Sequence, residues 1–353
     1  MKEMKKIAVV GAGSWGTALA MVLADNEHEV QLWARRSEQV VEINEKHSNS
    51  KYLPGITLPK NIIAFNDLNL ALKNVDTIVL VVPTKAIREM VQEMIHVLTS
   101  PVTIIHASKG IEPGTHKRVS EMIEEEFQHS DLLQDVVVLS GPSHAEEVSL
   151  RQPTTVTVSS KRHEASERAQ DLFINNHFRV YTNSDLVGVE IGGALKNSIA
   201  LVCGLTNGLG LGDNTKAAIM TRGLAEIARM GIKLGANPLT FAGLSGLGDL
   251  IVTCTSIHSR NYRAGKMIGE GKSLDQVLES MGMVVEGIRT TKAAHELALK
   301  WQVDMPIISS LYAVLFEGLS PKEATKQLMG RGKKHEVEQL SLDFFHMNDP
   351  EMK

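Results

Sequence analysis

The chain has 353 residues, a formal net charge of −4 and a hydrophobic fraction of 43%. This length favours two domains, each large enough for its own core. The acidic balance argues against a general nucleic-acid binder, so positive charge for an anionic ligand must be local. The only cysteines, Cys203 and Cys254, lack metal-ligand spacing, so we expect buried, reduced thiols and no metal site.

No signal peptide or membrane-spanning segment is predicted. Residues 1–6 are polar and basic, without a long apolar run. The most apolar segment, residues 78–82, is far too short to cross a bilayer. We therefore expect a cytoplasmic protein with no stable membrane insertion.

The first element is a short β-branched strand at residues 7–10, followed by a glycine-rich turn that opens a helix. The turn contains a complete G-x-G-x-x-G pattern at Gly11, Gly13 and Gly16. Gly11 allows the tight turn, Gly13 lets a pyrophosphate approach the backbone, and Gly16 lets the helix pack close to the strand. Backbone N–H groups and the positive end of the helix dipole then face the anion. This context favours a dinucleotide site over a plain strand–turn–helix connection.

The first half of the chain alternates short β-rich runs with amphipathic helical stretches, which is typical of a parallel sheet with helices on both faces. The predicted strands span residues 7–10, 29–33, 77–82, 103–106 and 136–139. The predicted helices between them span residues 16–25, 38–46, 85–98 and 117–127. A hairpin-like pair of strands at residues 154–159 and 179–181 flanks a helix near residues 163–173 and closes the domain.

Beyond residue 187 the pattern changes to helix-length segments separated by glycine-rich loops, with no convincing strand up to about residue 342. We therefore predict an α/β fold in which an N-terminal Rossmann-like doubly wound sheet precedes a mostly α-helical C-terminal domain. The predicted domains are residues 1–187 and 188–342, followed by a frayed tail at residues 343–353.

Two arginines, Arg35 and Arg36, follow the second strand, where an NAD-preferring fold carries an acidic residue that binds the ribose 2′-hydroxyl. An arginine at this place accommodates a 2′-phosphate instead. Taken alone, the pair also fits a solvated basic loop. Together with the glycine-rich turn it favours NADP(H), while NAD(H) stays open.

Polar and glycine-containing loops follow two further strands. Ser108-Lys109-Gly110 comes after the fourth strand, and residues 141–145, which include Gly141 and Ser143, come after the fifth. Ligands of open α/β sheets bind at the carboxyl ends of the strands, so Lys109 is well placed to meet one. A lone lysine in a loop is usually only solvated, and its position is what favours a role here.

Two adjacent glycines, Gly192 and Gly193, precede Lys196 in a predicted helix. Glycines inside a helix cost about 1 kcal/mol each relative to alanine. Because helical side chains lean toward the N-terminus, we expect Lys196 to lie over the pair, beside a notch wide enough for a nicotinamide ring. The alternative is a glycine pair that serves helix–helix packing.

A third polar group lies in the second domain. Asp249 and Thr253 share one face if their segment is helical. Ser259 is a natural N-cap that places Arg260 and Asn261 in the first turn of the next helix. A helix N-terminus that carries an arginine suits a phosphate, although an ordinary capped helix explains the same residues.

These motifs together resemble those of bacterial NAD(P)-dependent sn-glycerol-3-phosphate dehydrogenase over nearly the whole chain. The resemblance rests on the glycine-rich turn and on residues 108–110, 141–145, 192–197, 246–250, 259–261 and 284–287. One departure is His144, which stands where many members carry phenylalanine and affects only the expected local packing. The resemblance implies interconversion of dihydroxyacetone phosphate and sn-glycerol 3-phosphate, with reduction supplying phospholipid synthesis.

The resemblance also implies roles for individual residues. Lys196 is the expected general acid/base at the C2 hydroxyl, and its pKa must lie well below 10.4 for this role near neutral pH. The expected substrate-binding residues are Lys109, Gly141, Ser143, Lys196, Asp249, Ser259, Arg260 and Asn261. The expected cofactor-binding residues are Gly11, Gly13, Ser14, Trp15, Gly16, Arg35, Arg36, Lys109, Ala145, Arg260, Val284 and Glu286.

Two other functions stay open on the sequence. A hydroxyacid or ketopantoate-type reductase would also use an arginine to hold an anionic substrate. A non-catalytic NADP(H)-sensing protein would keep the fold without turnover, but the pair Lys196 and Asp249 argues against it. A homodimer is compatible with the sequence, which gives no oligomeric state.

Overall fold

The protein is described by a computed structural model that covers residues 4–281 and 284–333. The eight strands are β1 Lys6–Val10, β2 Glu29–Trp33, β3 Ile62–Phe65, β4 Thr77–Leu80, β5 Val102–His106, β6 Leu133–Ser140, β7 Thr154–Ser160 and β8 Phe178–Asn183. The helices of the first half are α1 Ser14–Asp25, α2 Ser37–Lys46, α3 Leu68–Ala71, α4 Ile87–Val97, α5 Val119–Glu126, α6 Ala145–Ser149 and α7 His163–Phe173.

The second half contains only helices among its described residues. They are α8 Leu186–Gly208, α9 Asp213–Lys233, α10 Asp249–Thr255, α11 Arg260–Gly269, α12 Leu274–Met281, α13 Glu286–Trp301, α14 Pro306–Phe316 and α15 Pro321–Met329. Short 3-10 helices span Thr84–Ala86 and Pro238–Ala242, and a π-helical turn spans Leu244–Gly248.

All eight strands form one sheet in the order β3-β2-β1-β4-β5-β6-β7-β8. Neighbours from β3 to β6 are parallel, β6 and β7 are antiparallel, and β7 and β8 are parallel again. Alternate residues of β1 enter two different cores: Ile7 and Val9 lie in one, Ala8 and Val10 in the other. The sheet is therefore covered on both faces, and the predicted fold class is confirmed.

Two details of the predicted sheet are wrong. The strands at residues 154–159 and 179–181 do not form a hairpin-like pair, because α7 carries the chain back and β8 runs parallel to β7, with Thr154 opposite Phe178. Strand β3 was missed, because it has only four residues and its second residue, Ile63, is 53% exposed.

Helix α8 is the central element of the second half. It packs against α9, α10, α11 and α13. By length and composition it could cross a bilayer, but 94% of its most apolar window is buried inside the protein, as expected of a core helix. Its N-cap is Asp185, so the predicted boundary between residues 187 and 188 falls in its first turn. The predicted tail at residues 343–353 lies outside the described residues.

Candidate active site

The glycine-rich turn between β1 and α1 has a different geometric requirement at each glycine. Gly11 has a φ of +116°, and a Cβ there would lie 2.5 Å from the Val81 carbonyl oxygen. A Cβ at Gly16 would overlap the Gly11 carbonyl, whereas a Cβ at Gly13 would meet no atom within 4 Å. The turn thus has open space at Gly13, directly before the helix N-terminus, where a pyrophosphate could approach.

Buried amides that the sequence reasoning missed hold this turn in place. The Ala12 carbonyl accepts hydrogen bonds from Gln39 Nε2 at 2.5 Å and from Asn49 Nδ2 at 3.1 Å. Asn49 also donates to Thr17 Oγ1 at 2.8 Å. Their sequence signal is weak, because isolated amides in a helix and a loop have no characteristic spacing.

Arg35 and Arg36 follow β2, and Arg36 is linked to the same turn, because its Nη2 donates to Gln39 Oε1 at 3.4 Å and Gln39 donates to the Ala12 carbonyl. Arg35 is exposed, and the Arg36 guanidinium lies 5.9 Å from the centroid of the Tyr52 ring. Tyr52 is connected to the turn as well, because its carbonyl accepts a hydrogen bond from Ser14 Oγ at 3.0 Å. Trp15 packs against the first core. Arg36, Ser14 and the missed Tyr52 therefore lie on one side of the turn.

The centre of the candidate site is a buried carboxylate shared by two amines. Lys109 Nζ donates to Asp249 Oδ2 at 2.6 Å, and Lys196 Nζ donates to Asp249 Oδ1. Lys196 Nζ also lies 2.7 Å from Thr253 Oγ1, whose hydroxyl donates to the Asp249 carbonyl. The shared helical face of Asp249 and Thr253 is confirmed, and Thr253 is a further site residue that was not assigned a role.

The contacts within this group shift the pKa values of Lys196 and Asp249. Burial lowers the pKa of Lys196 from 10.5 to about 7; Asp249 opposes this change and the neighbouring Lys109 ammonium adds to it. Burial alone would raise the pKa of Asp249, but Lys109 and Lys196 hold it below its ordinary value. An amine that titrates near pH 7 can both donate and accept a proton at that pH.

The expected notch at the glycine pair is wrong. A Cβ at Gly192 would lie 2.7 Å from the Ser245 carbonyl oxygen, and one at Gly193 would lie 2.8 Å from Ser140 Oγ. Both positions are filled by protein, and the helix–helix packing alternative fits Gly192, whose neighbour is the π-helical turn at Leu244–Gly248. Gly192 lets the π-helical turn before Asp249 approach α8, which brings the carboxylate to Lys196, whereas Gly193 faces Ser140 and the stem of Lys109.

The loop after β6 adjoins Lys109. Gly141 has a φ of +137°, and its carbonyl accepts a hydrogen bond from Ser143 Oγ at 2.9 Å and lies 3.5 Å from Lys109 Nζ. The methyl group of Ala145 is buried in the first core, which leaves only its backbone to face a ligand. His144 Nε2 lies 3.4 Å from the Val252 carbonyl, so this departure from the family pattern links the loop to α10.

Ser259, Arg260 and Asn261 begin α11, and only one of their side chains is exposed. Ser259 is the predicted N-cap, and its hydroxyl accepts from the Tyr262 amide at 3.2 Å. Asn261 is buried; it donates to Asn197 Oδ1 at 2.9 Å and accepts from the Gly287 amide at 3.0 Å. Arg260 alone presents its side chain to solvent.

Glu286 joins the second half to the loop after β4. It begins α13, directly after the half-buried Val284 and buried Val285, and its carboxylate accepts from the Thr84 amide at 3.3 Å. Burial raises the pKa of Glu286, and Thr84 and then nearby Arg289 and Arg260 oppose that change. Arg260 therefore lies close enough to Glu286 to act on it electrostatically.

Other predicted features concern cysteines and metals. Cys203 and Cys254 are buried and free, as expected. A hydrogen bond with Cys203, together with burial, raises the pKa of Cys254. Within residues 4–281 and 284–333, no cluster of three His, Cys, Asp or Glu side chains suits a metal ion.

Comparisons with known proteins agree along nearly the whole chain. Residues 6–166 match a family model described as NAD-dependent glycerol-3-phosphate dehydrogenase N-terminus, and residues 185–326 match the corresponding C-terminus. A glycerol-3-phosphate dehydrogenase [NAD(P)+] of Bacillus cereus strain G9842 is 68% identical over 337 residues, which cover 96% of this chain and 99% of that protein.

Solved structures lead to the same family. Glycerol-3-phosphate dehydrogenase from Coxiella burnetii superposes with a TM-score of 0.88 at 37% identity, covering 93% of this chain and 99% of that one. The yeast Saccharomyces cerevisiae enzyme gives 0.79 at 31% identity, covering 92% and 99%. A ketopantoate reductase family protein from Ralstonia eutropha gives only 0.58 at 15% identity, covering 91% and 99%, and shows a shared fold alone.

Proposed function

The chain belongs to the NAD-dependent glycerol-3-phosphate dehydrogenase family, and from this membership we propose how its residues carry out the reaction. The protein is an NAD(P)-dependent oxidoreductase that interconverts dihydroxyacetone phosphate and sn-glycerol 3-phosphate by hydride transfer. The roles of individual residues, the preferred dinucleotide and the cellular setting are proposals.

Lys196 is the general acid/base in this proposal. The observation that carries it is the buried group in which Lys109 and Lys196 share Asp249, with the pKa of Lys196 lowered to about 7. The protonated amine donates a proton to the C2 oxygen as the ketone is reduced, and the neutral amine accepts it in the reverse direction. Asp249 and Thr253 orient the amine, and Lys109 contacts substrate and cofactor.

The dinucleotide fits the β1–α1 turn. A pyrophosphate can approach the open space at Gly13, next to the N-terminus of α1. The close packing at Gly11 and Gly16 holds the turn in the shape that this approach needs. When bound, the nicotinamide cofactor supplies or accepts the hydride. Ser14, Trp15, Ala145, Val284 and Glu286 complete the proposed binding residues.

NADP(H) is the preferred cofactor in this proposal, with NAD(H) also used. The support is the pair Arg35 and Arg36, because a guanidinium can form charge-assisted hydrogen bonds with a 2′-phosphate. Arg36 lies against Tyr52 and next to the turn, which places its charge at the side of the dinucleotide site.

The substrate phosphate is held at the N-terminus of α11. Arg260 supplies the exposed guanidinium and is shared with the cofactor, while Ser259 and Asn261 fix the helix start through their own hydrogen bonds. Gly141 and Ser143 line the pocket on the side of Lys109.

The proposed setting is the cytoplasm, where reduction of dihydroxyacetone phosphate supplies glycerol 3-phosphate for phospholipid synthesis. The protein acts there without nucleic acid and without stable membrane insertion. A homodimer is proposed as its assembly and is tested by light scattering of the purified protein.

The function is tested by NADPH oxidation with dihydroxyacetone phosphate, with unphosphorylated dihydroxyacetone and with ketopantoate. The proposal expects rapid oxidation with the phosphorylated ketone only, because binding of the remote phosphate positions the reacting carbon. Turnover with ketopantoate alone would point to the hydroxyacid class. NADPH binding without any turnover would point to a sensor.

A further inference from the structure

A second buried carboxylate, Glu190, lies on α8 outside the group that contains Lys196. Its side chain is 5% exposed, and its oxygens accept hydrogen bonds from the Ser120 amide at 2.8 Å, Ser120 Oγ at 2.6 Å and Arg118 Nη1 at 2.7 Å. These partners belong to the N-terminus of α5 in the sheet-containing half. Glu190 therefore connects α8, the central helix of the second half, to the sheet-containing half of the chain.

The third residue that contacts Glu190 leads to the loop that carries Lys109. His106, at the end of β5, places Nε2 at 3.2 Å from Glu190 Oε1. Its other ring nitrogen, Nδ1, lies 3.3 Å from the carbonyl oxygen of Ser108, the residue before Lys109. Ser108 is fixed on its other side, because its hydroxyl donates to the Val82 carbonyl at 2.6 Å.

The same helix thus holds both lysines of the site by different means. Lys196 is part of α8, whereas Lys109 is reached from α8 through Glu190, His106 and the Ser108 carbonyl. Both amines meet again at Asp249, whose two carboxylate oxygens they share. A change at Glu190 would therefore alter the position of one amine relative to the other without touching either of them.

We propose that Glu190 is a positioning residue that, through His106 and the Ser108 carbonyl, holds the Lys109 amine against Asp249 and Lys196. This role rests on the proposed function of Lys196 as the acid/base. It explains why a carboxylate is buried at this junction together with its own cationic and hydroxyl partners.

The proposal has an electrostatic consequence that a purely structural role would not have. Lys196 faces Asp249 and Thr253 on α10 and Lys109 on the loop, and it lies close enough to His144 and Cys254 to act on them electrostatically. The titratable and charged side chains around Glu190 are His106 and Arg118. If Lys109 is released, its repulsion of the Lys196 ammonium weakens, and the pKa of Lys196 rises. Simple loss of the negative charge of Glu190 would move that pKa in the opposite direction.

The test is the pH profile of kcat for Glu190→Gln in the direction of glycerol 3-phosphate oxidation. This direction needs the neutral amine, so activity falls as the pH drops below the pKa of Lys196. The proposal expects the acid limb of the profile to move to higher pH by about half a pH unit or more. An unchanged profile, or a shift of the acid limb to lower pH, in the folded variant would overturn the proposal.

Glu121→Gln is the matched control. Glu121 is the other carboxylate on Arg118, at 2.8 Å from Nη2, but it is 41% exposed and lies on the outer side. The proposal expects this variant to keep the profile of the unsubstituted enzyme. The same upward shift in the control would assign the effect to Arg118 and contradict the route through His106.

A second variant covers failure of Glu190→Gln to fold. His106→Gln keeps a polar amide near the position of Nε2 but loses the contact with the Ser108 carbonyl, so the same shift to higher pH is expected. In a combined variant the two shifts should not add, because both substitutions interrupt one route. A normal profile in folded His106→Gln would overturn the positioning role. Retained turnover in Lys196→Met would instead overturn the proposed function.

Discussion

Replacement of the shared carboxylate, Asp249→Asn, should lower kcat at pH 7 for ketone reduction but not for glycerol 3-phosphate oxidation. Asp249 raises the pKa of Lys196 against the effect of burial. Asparagine keeps the shape and one acceptor oxygen but removes the charge. Lys109 and Lys196 then face each other without a counter-charge, and the pKa of Lys196 falls below about 7.

The size of this effect follows from the contacts. A charge pair at about 4 Å contributes roughly 4 kcal/mol at an effective dielectric constant of about 20, and 1.36 kcal/mol corresponds to one pKa unit. Water entry and the remaining acceptor reduce the change, so we expect a fall of about 1 to 2 units. At pH 7 the protonated fraction of Lys196 then drops from about one half to about 1–10%, which lowers kcat for ketone reduction by about 5- to 50-fold.

The assay compares kcat in both directions between pH 5 and 9. In the oxidation direction the neutral amine is required, so the protonation change alone should raise kcat at pH 7 by no more than about twofold. Reduction should recover as the pH falls. Asp213→Asn is the control, because it removes an aspartate that pairs with Lys216 but is 96% exposed. Equal loss in both directions at every pH would refute the electrostatic reasoning and leave only an orienting role for Asp249.

Three further experiments test the cofactor and phosphate sites. Neutral residues at Arg35 and Arg36 should raise the KM for NADPH markedly and change that for NADH little, since each charge-assisted hydrogen bond contributes about 1.5–3 kcal/mol; equal increases for both cofactors would contradict the 2′-phosphate role. Arg260→Lys should raise the KM for dihydroxyacetone phosphate and lower kcat, because lysine lacks the planar fork, whereas an unchanged preference over dihydroxyacetone would remove α11 from the phosphate site. Gly13→Ala should fold normally and bind NADPH weakly in fluorescence titrations, while Gly16→Ala should lower the Tm because its Cβ would overlap the Gly11 carbonyl; the opposite ranking would contradict the assignment of the turn.

The sheet was predictable where the local sequence determines it. Residues 7–10 form a continuous apolar run because β1 is buried on both faces, and the glycine-rich turn after it marks the start of α1. The direction of β8 was not predictable, because pairing with β7 depends on how α7 returns the chain. Ile63 illustrates the same limit in β3, since an exposed residue in a four-residue strand leaves little apolar signal.

Some residues of the candidate site could be selected from the sequence, but their contacts could not. Motif resemblance selected Lys109, Lys196 and Asp249 from three distant segments, and the fold brings them together. The glycine pair before Lys196 was misinterpreted because the Ser245 carbonyl that fills the space comes from about fifty residues further along the chain. Tyr52 was missed for the same reason, since only folding places it beside Arg36.

The most direct measurement of the role of Lys196 is the single-turnover and steady-state rate of Lys196→Met with NADPH and dihydroxyacetone phosphate. Methionine keeps the length of the buried side chain and removes the amine. Retained NADPH affinity and a cooperative thermal transition would establish that the Lys196→Met variant is folded. The control is Lys300→Met, at an exposed position of α13. We predict a loss of about 10²–10⁴-fold in kcat for Lys196→Met and none for the control. Turnover close to that of the unsubstituted enzyme in the folded Lys196→Met variant would contradict the assignment of Lys196 as the acid/base.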